Sequence, residues 1–135
     1  MTDSKPTTCP CCSEKPFADC CEPYLNNSEK APTAEALMRS RYSAYVTQNV
    51  DHLQRTLTRN ERRSFNRKEA LKWARSSVWK ELEVVSTEDG LENDDNGTVE
   101  FIATYEAEGE EKKHHEKALF RKNKDQWLCV TGDIL

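Results

Sequence analysis

Five of the six cysteines in this 135-residue chain lie in one run, Cys9-Pro10-Cys11-Cys12-Ser13-Glu14-Lys15-Pro16-Phe17-Ala18-Asp19-Cys20-Cys21. A Cys-x-Cys pair followed eight residues later by a Cys-Cys pair can close four thiolates around one tetrahedral Zn²⁺, with bonds of about 2.3 Å. A segment this short and polar buries no core, so a metal has to hold it together. The expected ligands are Cys9, Cys11, Cys20 and Cys21, with Cys12 a spare sulfur beside Cys11. Four thiolates leave no open position, so the Zn²⁺ is expected to be structural. A disulfide or redox motif and idle thiols are the alternatives. Disulfides need an oxidising compartment, and residues 1–30 hold no apolar stretch of signal-peptide length. A vicinal Cys20–Cys21 bridge would be strained, and local pairing leaves an odd thiol. Cys129 sits apart in an apolar strand pattern and reads as a buried structural thiol.

A second set of polar residues falls on faces expected to point inward: Arg41, Tyr42, Tyr105 and Glu116, with Arg39 and His115 nearby. Arg41 shares a helical stripe with Leu37, Met38, Tyr42 and Tyr45. A cation there needs a buried partner, because burying it alone is costly, and Glu116 is the expected one. The pair reads either as a structural link from helix to sheet or as the floor of a pocket. His115 and Glu116 are adjacent on a strand and face opposite sides, which argues against a His–Glu acid–base pair. His114 shares the face of Glu116 and reads as an exposed strand residue. A second metal site from His114, His115 and Glu116 is a minor alternative. Tyr42 and Tyr105 read equally as core residues with satisfied hydroxyls.

These residues need elements to position them. Residues 1–8 read as a frayed leader, 9–24 as the cysteine knuckle closed by Pro23, and 25–32 as a polar linker ending in Pro32. Thr33 is the expected N-cap of a helix running to about Gln48, with Leu37, Met38, Arg41, Tyr42, Tyr45 and Val46 at helical spacing. A short helix over about 50–58 follows, capped by Asn49 or Asp51. Asn66 and Glu69 resemble a capping box that opens a third helix, ending near 75–77, with Phe65 as a staple. Four strand-like runs follow at about 78–87, 97–107, 113–122 and 126–131, separated by turn chemistry such as Glu108-Gly109-Glu110 and Asn123-Lys124-Asp125. Helices first and strands later, with short links, predict an α+β layer fold with an antiparallel meander.

Charged residues make up 33 % of the chain and hydrophobic ones 36 %, so the core is modest and the surface heavily charged. No run approaches the ~18 apolar residues that span a bilayer, so no membrane role is expected. Free thiols and the missing export signal point to a soluble cytoplasmic protein. The net charge of −4 hides a basic stretch over residues 55–80 and an acidic one over 81–116. The basic stretch reads as a solvated helix face, with nucleic-acid binding as the lesser alternative. Phe65, Trp73 and Trp79 look spaced for a core, not for stacking bases. A Ser-His-Asp order, a Gly-rich phosphate loop and a Gly-x-Ser-x-Gly elbow are all missing.

The cysteine run, with Ser13, Lys15 and Phe17 between its pairs, resembles the SEC-C motif, a small zinc knuckle also found at the C-terminus of the SecA translocation ATPase. Cys12 and Glu14 stand where that motif commonly has glycine. The block Pro32-Thr33-Ala34-Glu35-Ala36-Leu37-Met38-Arg39-Ser40-Arg41-Tyr42-Ser43-Ala44-Tyr45-Val46 is very similar to the signature of the bacterial YchJ-like family. The Val99–Ala103 run, the His115-Glu116 … Phe120 strand and the Trp127 … Gly132 ending are similar to it too. The resemblance covers about residues 9–132. It implies a zinc motif at 1–24, a linker at 25–32 and a nuclear-transport-factor-2-like domain at 33–135. Such a domain is a curved antiparallel sheet wrapped around helices into a cone. Family members often carry a Trp-His pair where this chain has Leu57-Thr58, and many carry a second SEC-C motif.

Two classes of function follow. In the first, the knuckle presents an exposed Lys15 and Phe17 to a protein or ribosomal partner, and the domain acts as a scaffold. In the second, the cone interior around Arg41 and Glu116 binds a small molecule or runs an enzyme reaction. The binding module is favoured over the enzyme, since the cysteine run is the strongest signal in the chain.

Overall fold

The computed structural model describes residues 7–135, so most of the leader expected over residues 1–8 lies outside the described part. After a 3₁₀ turn at Phe17–Asp19 come five helices: α1 Glu22–Leu25, α2 Ala34–Val46, α3 Val50–Arg55, α4 Arg59–Ser64 and α5 Arg67–Ser76. Four strands follow: β1 Val78–Asp89, β2 Asn96–Ala107, β3 Glu110–Asn123 and β4 Gln126–Ile134. They form one antiparallel sheet in the order β1-β2-β3-β4, the expected meander.

The helix starts follow from side-chain caps. Thr33, Asn49 and Asn66 each accept a hydrogen bond from the backbone N–H three residues on. Each thereby satisfies a helix-end donor that has no partner within the helix. The helix α3 is shorter than expected, and α4, which the sequence did not signal, follows it. No α4 residue is buried. Two hairpins are tight because both central residues adopt left-handed backbone: Glu108 (φ 55°) with Gly109 (φ 78°), and Lys124 (φ 50°) with Asp125 (φ 64°). That twist suits two-residue hairpins.

Alternation puts Val99, Phe101 and Ala103 of β2 beside Ala118 and Phe120 of β3 on the buried face. Trp127 and Cys129 of β4 extend this face, and Leu37, Met38 and Tyr42 of α2 pack on it. Register shifts at Trp79/Glu81, Val84/Ser86 and Leu119/Phe120 are bulges that bend the strands. The outer margin of β4 is met at Cys129 by the chain between α3 and α4. Cys129 N–H donates to Thr56 O at 2.7 Å, and Thr58 N–H donates to Cys129 O at 3.0 Å.

The N-terminal segment shares this core. Cys9, Cys11, Phe17, Cys21 and Leu25 belong to the same buried cluster as Leu37, Phe101 and Trp127. Phe17 is 5 % exposed. This corrects the expectation of an exposed aromatic at the knuckle tip: the knuckle docks on the domain, and its one large apolar side chain turns into the contact. Lys15 is exposed as expected.

Candidate functional site

The knuckle is built by a few local bonds. Cys9 N–H donates to Lys15 O at 2.9 Å, and Phe17 N–H donates to Thr7 O at 3.0 Å, closing a narrow loop. Cys12 and Glu14 turn it with left-handed backbone at φ 67° and 70°. These are the two positions where the motif resemblance leads one to expect glycine, and the turn geometry explains why glycine suits them. Tyr24 and Leu25 N–H both donate to Cys21 O, so α1 begins at the last cysteine.

This places the sulfurs of Cys9, Cys11, Cys20 and Cys21 within 4.8 Å of one another. Four sulfurs bound at about 2.3 Å to a tetrahedral ion are about 3.8 Å apart. The Cys11–Cys20 and Cys20–Cys21 sulfur distances are 3.6 and 3.9 Å. A disulfide needs about 2.05 Å, and all six cysteines are free. The donor set therefore fits a tetrahedral tetrathiolate metal site. Cys21 and then Cys9 donate to the Cys11 sulfur and hold its thiol far below the usual range, while burial pushes Cys20 up to about 11. Cys12 is exposed and its sulfur accepts from Leu82 N–H at 3.4 Å, outside the cluster.

Outer groups orient the cluster. Ser13 Oγ lies 3.1 Å from the Cys20 sulfur, and Ser43 Oγ of α2 lies 3.6 Å from the Cys9 sulfur. Arg39 donates to Cys11 O at 2.7 Å and pairs with Glu35 at 2.9 Å. A buried network beneath ties α1 to α3. His52 is 2 % exposed, its Nε2 lies 2.9 Å from Ser40 Oγ, and its Nδ1 accepts from Arg55 at 3.1 Å. Arg55 also donates to Tyr24 O and Leu25 O.

A second concavity of about 80 Å³ lies between α2, α5 and the sheet. It brings together Arg41, Tyr42 and Glu116, as expected, but not Tyr105. The Tyr105 ring packs on Trp73 and Trp79 at centroid distances of 5.9 and 5.2 Å, and those two rings line the space instead. The expected Arg41–Glu116 ion pair is absent among the described residues. Arg41 donates to Leu53 O at 2.7 Å and to Thr56 Oγ1 at 2.6 Å. Glu116 pairs with His114 at 2.7 Å, so His114 is a half-buried partner and not the exposed residue expected. His115 lies on the other face, 2.8 Å from Glu100, as strand alternation requires.

Residues 33–132 match the family described as YchJ, middle NTF2-like domain. The chain belongs to the YchJ-like family. A UPF0225 protein of Geobacter sulfurreducens is 43 % identical over 124 residues, covering 92 % of this chain and 77 % of that one. A UPF0225 protein of Photorhabdus laumondii is 41 % identical over 129 residues, covering 92 % and 79 %. The solution structure of a SEC-C motif containing protein from Rhodopseudomonas palustris matches this YchJ-like chain with a TM-score of 0.87 at 36 % identity, covering 95 % of this chain and 98 % of that one. The crystal structure of one from Psychrobacter arcticus gives 0.81 at 29 %, covering 95 % and 82 %. The α+β fold, the nuclear-transport-factor-2-like domain and the SEC-C cysteine cluster of the sequence reading therefore stand.

Other residues of the YchJ-like cavity, Tyr45, Trp73, Trp79, Phe101 and Cys129 among them, read as plain core in the sequence. Apolar periodicity gives the same signal for a filled interior and for one that leaves a gap. The basic stretch is largely engaged within the chain: Arg55, Arg62, Arg67, Arg75 and Lys80 each bond to a neighbour. No helix among the described residues is long and apolar enough to cross a membrane.

Proposed function

We propose that Cys9, Cys11, Cys20 and Cys21 hold one structural Zn²⁺, and that the stapled N-terminal loop is a recognition face for a protein partner. The close packing of these four sulfurs, all within 4.8 Å, carries this reading. A tetrathiolate ion has no position left for water or substrate, so the metal fixes shape and does no chemistry. The shape it fixes is the loop at residues 12–16, where Glu14, Lys15 and Pro16 stand exposed. Lys15 is the contact residue, and Phe17 supports it from inside. Free thiols suit a reducing compartment, and cytoplasmic placement is part of the same proposal.

Elemental analysis of protein purified without a metal-binding tag tests the metal. The expected result is about one zinc per chain, lost in Cys20→Ser and kept in Cys12→Ser. Loss in both variants, or in neither, would remove the assigned ligand set. Co-purification tests the recognition face. Lys15→Glu should lose a partner that the wild type and Lys124→Glu, altered at a distant hairpin, both retain. If all three proteins keep the same partners, the metal serves as a staple alone.

A further inference from the structure

The metal reading leaves the cavity of the cone unexplained, and its charge balance is unusual. Arg41 is 9 % exposed, yet no carboxylate lies within ion-pair distance of it among the described residues. Both hydrogens of its Nη1 are spent on neutral acceptors, Leu53 O and Thr56 Oγ1. Its Nε and Nη2 have no partner among the described residues. Among the described residues Ser77 Oγ is the one fully buried side-chain polar atom left without a bond, so these nitrogens still reach accessible space. Arg41 also lines the cavity. A buried guanidinium with no carboxylate in ion-pair contact is a costly arrangement unless something fills the gap.

The rest of the wall selects what fills it. Trp73, Trp79 and Phe101 offer apolar ring surface, which suits a compact hydrocarbon body. Burial pushes the Cys129 thiol up, so it stays neutral and gives Arg41 no counter-charge. Glu116 is engaged by His114 and lies over Gly132, where even a Cβ would come within 2.0 Å of its Oε2. It makes no ion pair with Arg41 among the described residues, although both line the cavity. The volume, about 80 Å³, compares with about 10–15 Å³ for one water on the same measure, so about six heavy atoms fit.

We infer that this cavity binds a small organic monocarboxylate, with the carboxylate on Arg41 and a short apolar body between Trp73, Trp79 and Phe101. Bidentate pairing of guanidinium with carboxylate satisfies both open nitrogens at once. The site is separate from the cysteine cluster, so it stands or falls without the metal reading.

Titration of the ¹⁵N-labelled full chain with butyrate, followed by NMR, tests this. Saturable shifts are expected at the indole N–H signals of Trp73 and Trp79, with those of Trp127, outside the cavity, unmoved. Dissociation constants on the order of 1 mM suit six atoms. Butyramide, the same shape without charge, should bind at least about tenfold more weakly, the loss of about 1.4 kcal/mol. Glu116→Gln removes the nearby negative charge and should tighten butyrate binding. Arg41→Gln should abolish it. Should that variant fail to fold, the butyrate–butyramide comparison on the wild type decides alone. Equal binding of the two, or shifts spread over all three tryptophans, would overturn the inference.

Discussion

Replacing His52 with Gln should flatten the acid limb of the stability curve. His52 sits beneath the docked knuckle and is 2 % exposed. Its Nδ1 accepts from Arg55, so its Nε2 carries the proton and donates to Ser40 Oγ, which donates onward to Leu37 O. Both ring nitrogens are spent in the neutral form. Burial, and then the charges of Arg55 and Arg41, lower its pKa from 6.5 to about 3. The unfolded chain takes up the proton first, so acidification favours unfolding. The contribution is intact above about pH 6.5 and is lost as pH falls toward 3. At about 1.36 kcal/mol per unit, the full gap is worth about 5 kcal/mol, of which about 2 kcal/mol is lost between pH 8 and pH 5. Denaturant midpoints of wild type and His52→Gln at those two pH values measure it. The cysteine cluster also responds to acid, but both proteins carry it, so it cancels in the difference. The wild type should lose about 2 kcal/mol more than the variant. Parallel losses in the two would refute a neutral buried His52.

Phe17→Ala should cost about 3–5 kcal/mol of stability by thermal or denaturant unfolding, because a buried aromatic leaves a cavity and not a bare surface. An unchanged midpoint would return Phe17 to the surface. Glu14→Gly should raise stability by up to about 1 kcal/mol, since φ 70° strains any residue with a Cβ; a lower melting temperature would count against that strain. Gly132→Ala should displace the Glu116 carboxylate and cost about 1–3 kcal/mol, read as a lower midpoint together with a shifted His114 ring signal. An unmoved His114 signal would show that Glu116 does not rest there.

The parts legible in the sequence are those set by local chemistry. The caps at Thr33, Asn49 and Asn66 follow from side chains that can accept a bond across one helical turn. The face of β2 follows from strict alternation through Val99, Phe101 and Ala103. The clustering of Cys9, Cys11, Cys20 and Cys21 follows from type and spacing. What stayed hidden depends on contacts between distant parts. The helix α4 buries nothing, so no periodicity marks it. Phe17 is the kind of residue a loop can show or hide, and only docking against the domain decides. The acceptors of Arg41 include a main-chain carbonyl at the end of α3, and every residue has one, so residue types do not single it out. Tyr105 has the parity of the buried face, yet it lies at a strand end where two indoles stand between it and the cavity.

An open sheet has two margins, and each is a template on which another chain can add a strand. Here β4 is paired at Cys129 by Thr56 and Thr58. The margin of β1, a 12-residue strand, is met by the knuckle, where the Leu82 N–H finds the Cys12 sulfur. The cysteine loop therefore also covers the edge of the sheet at Leu82. Unseating it would bare β1 at Leu82 and leave that border open to pairing with another chain.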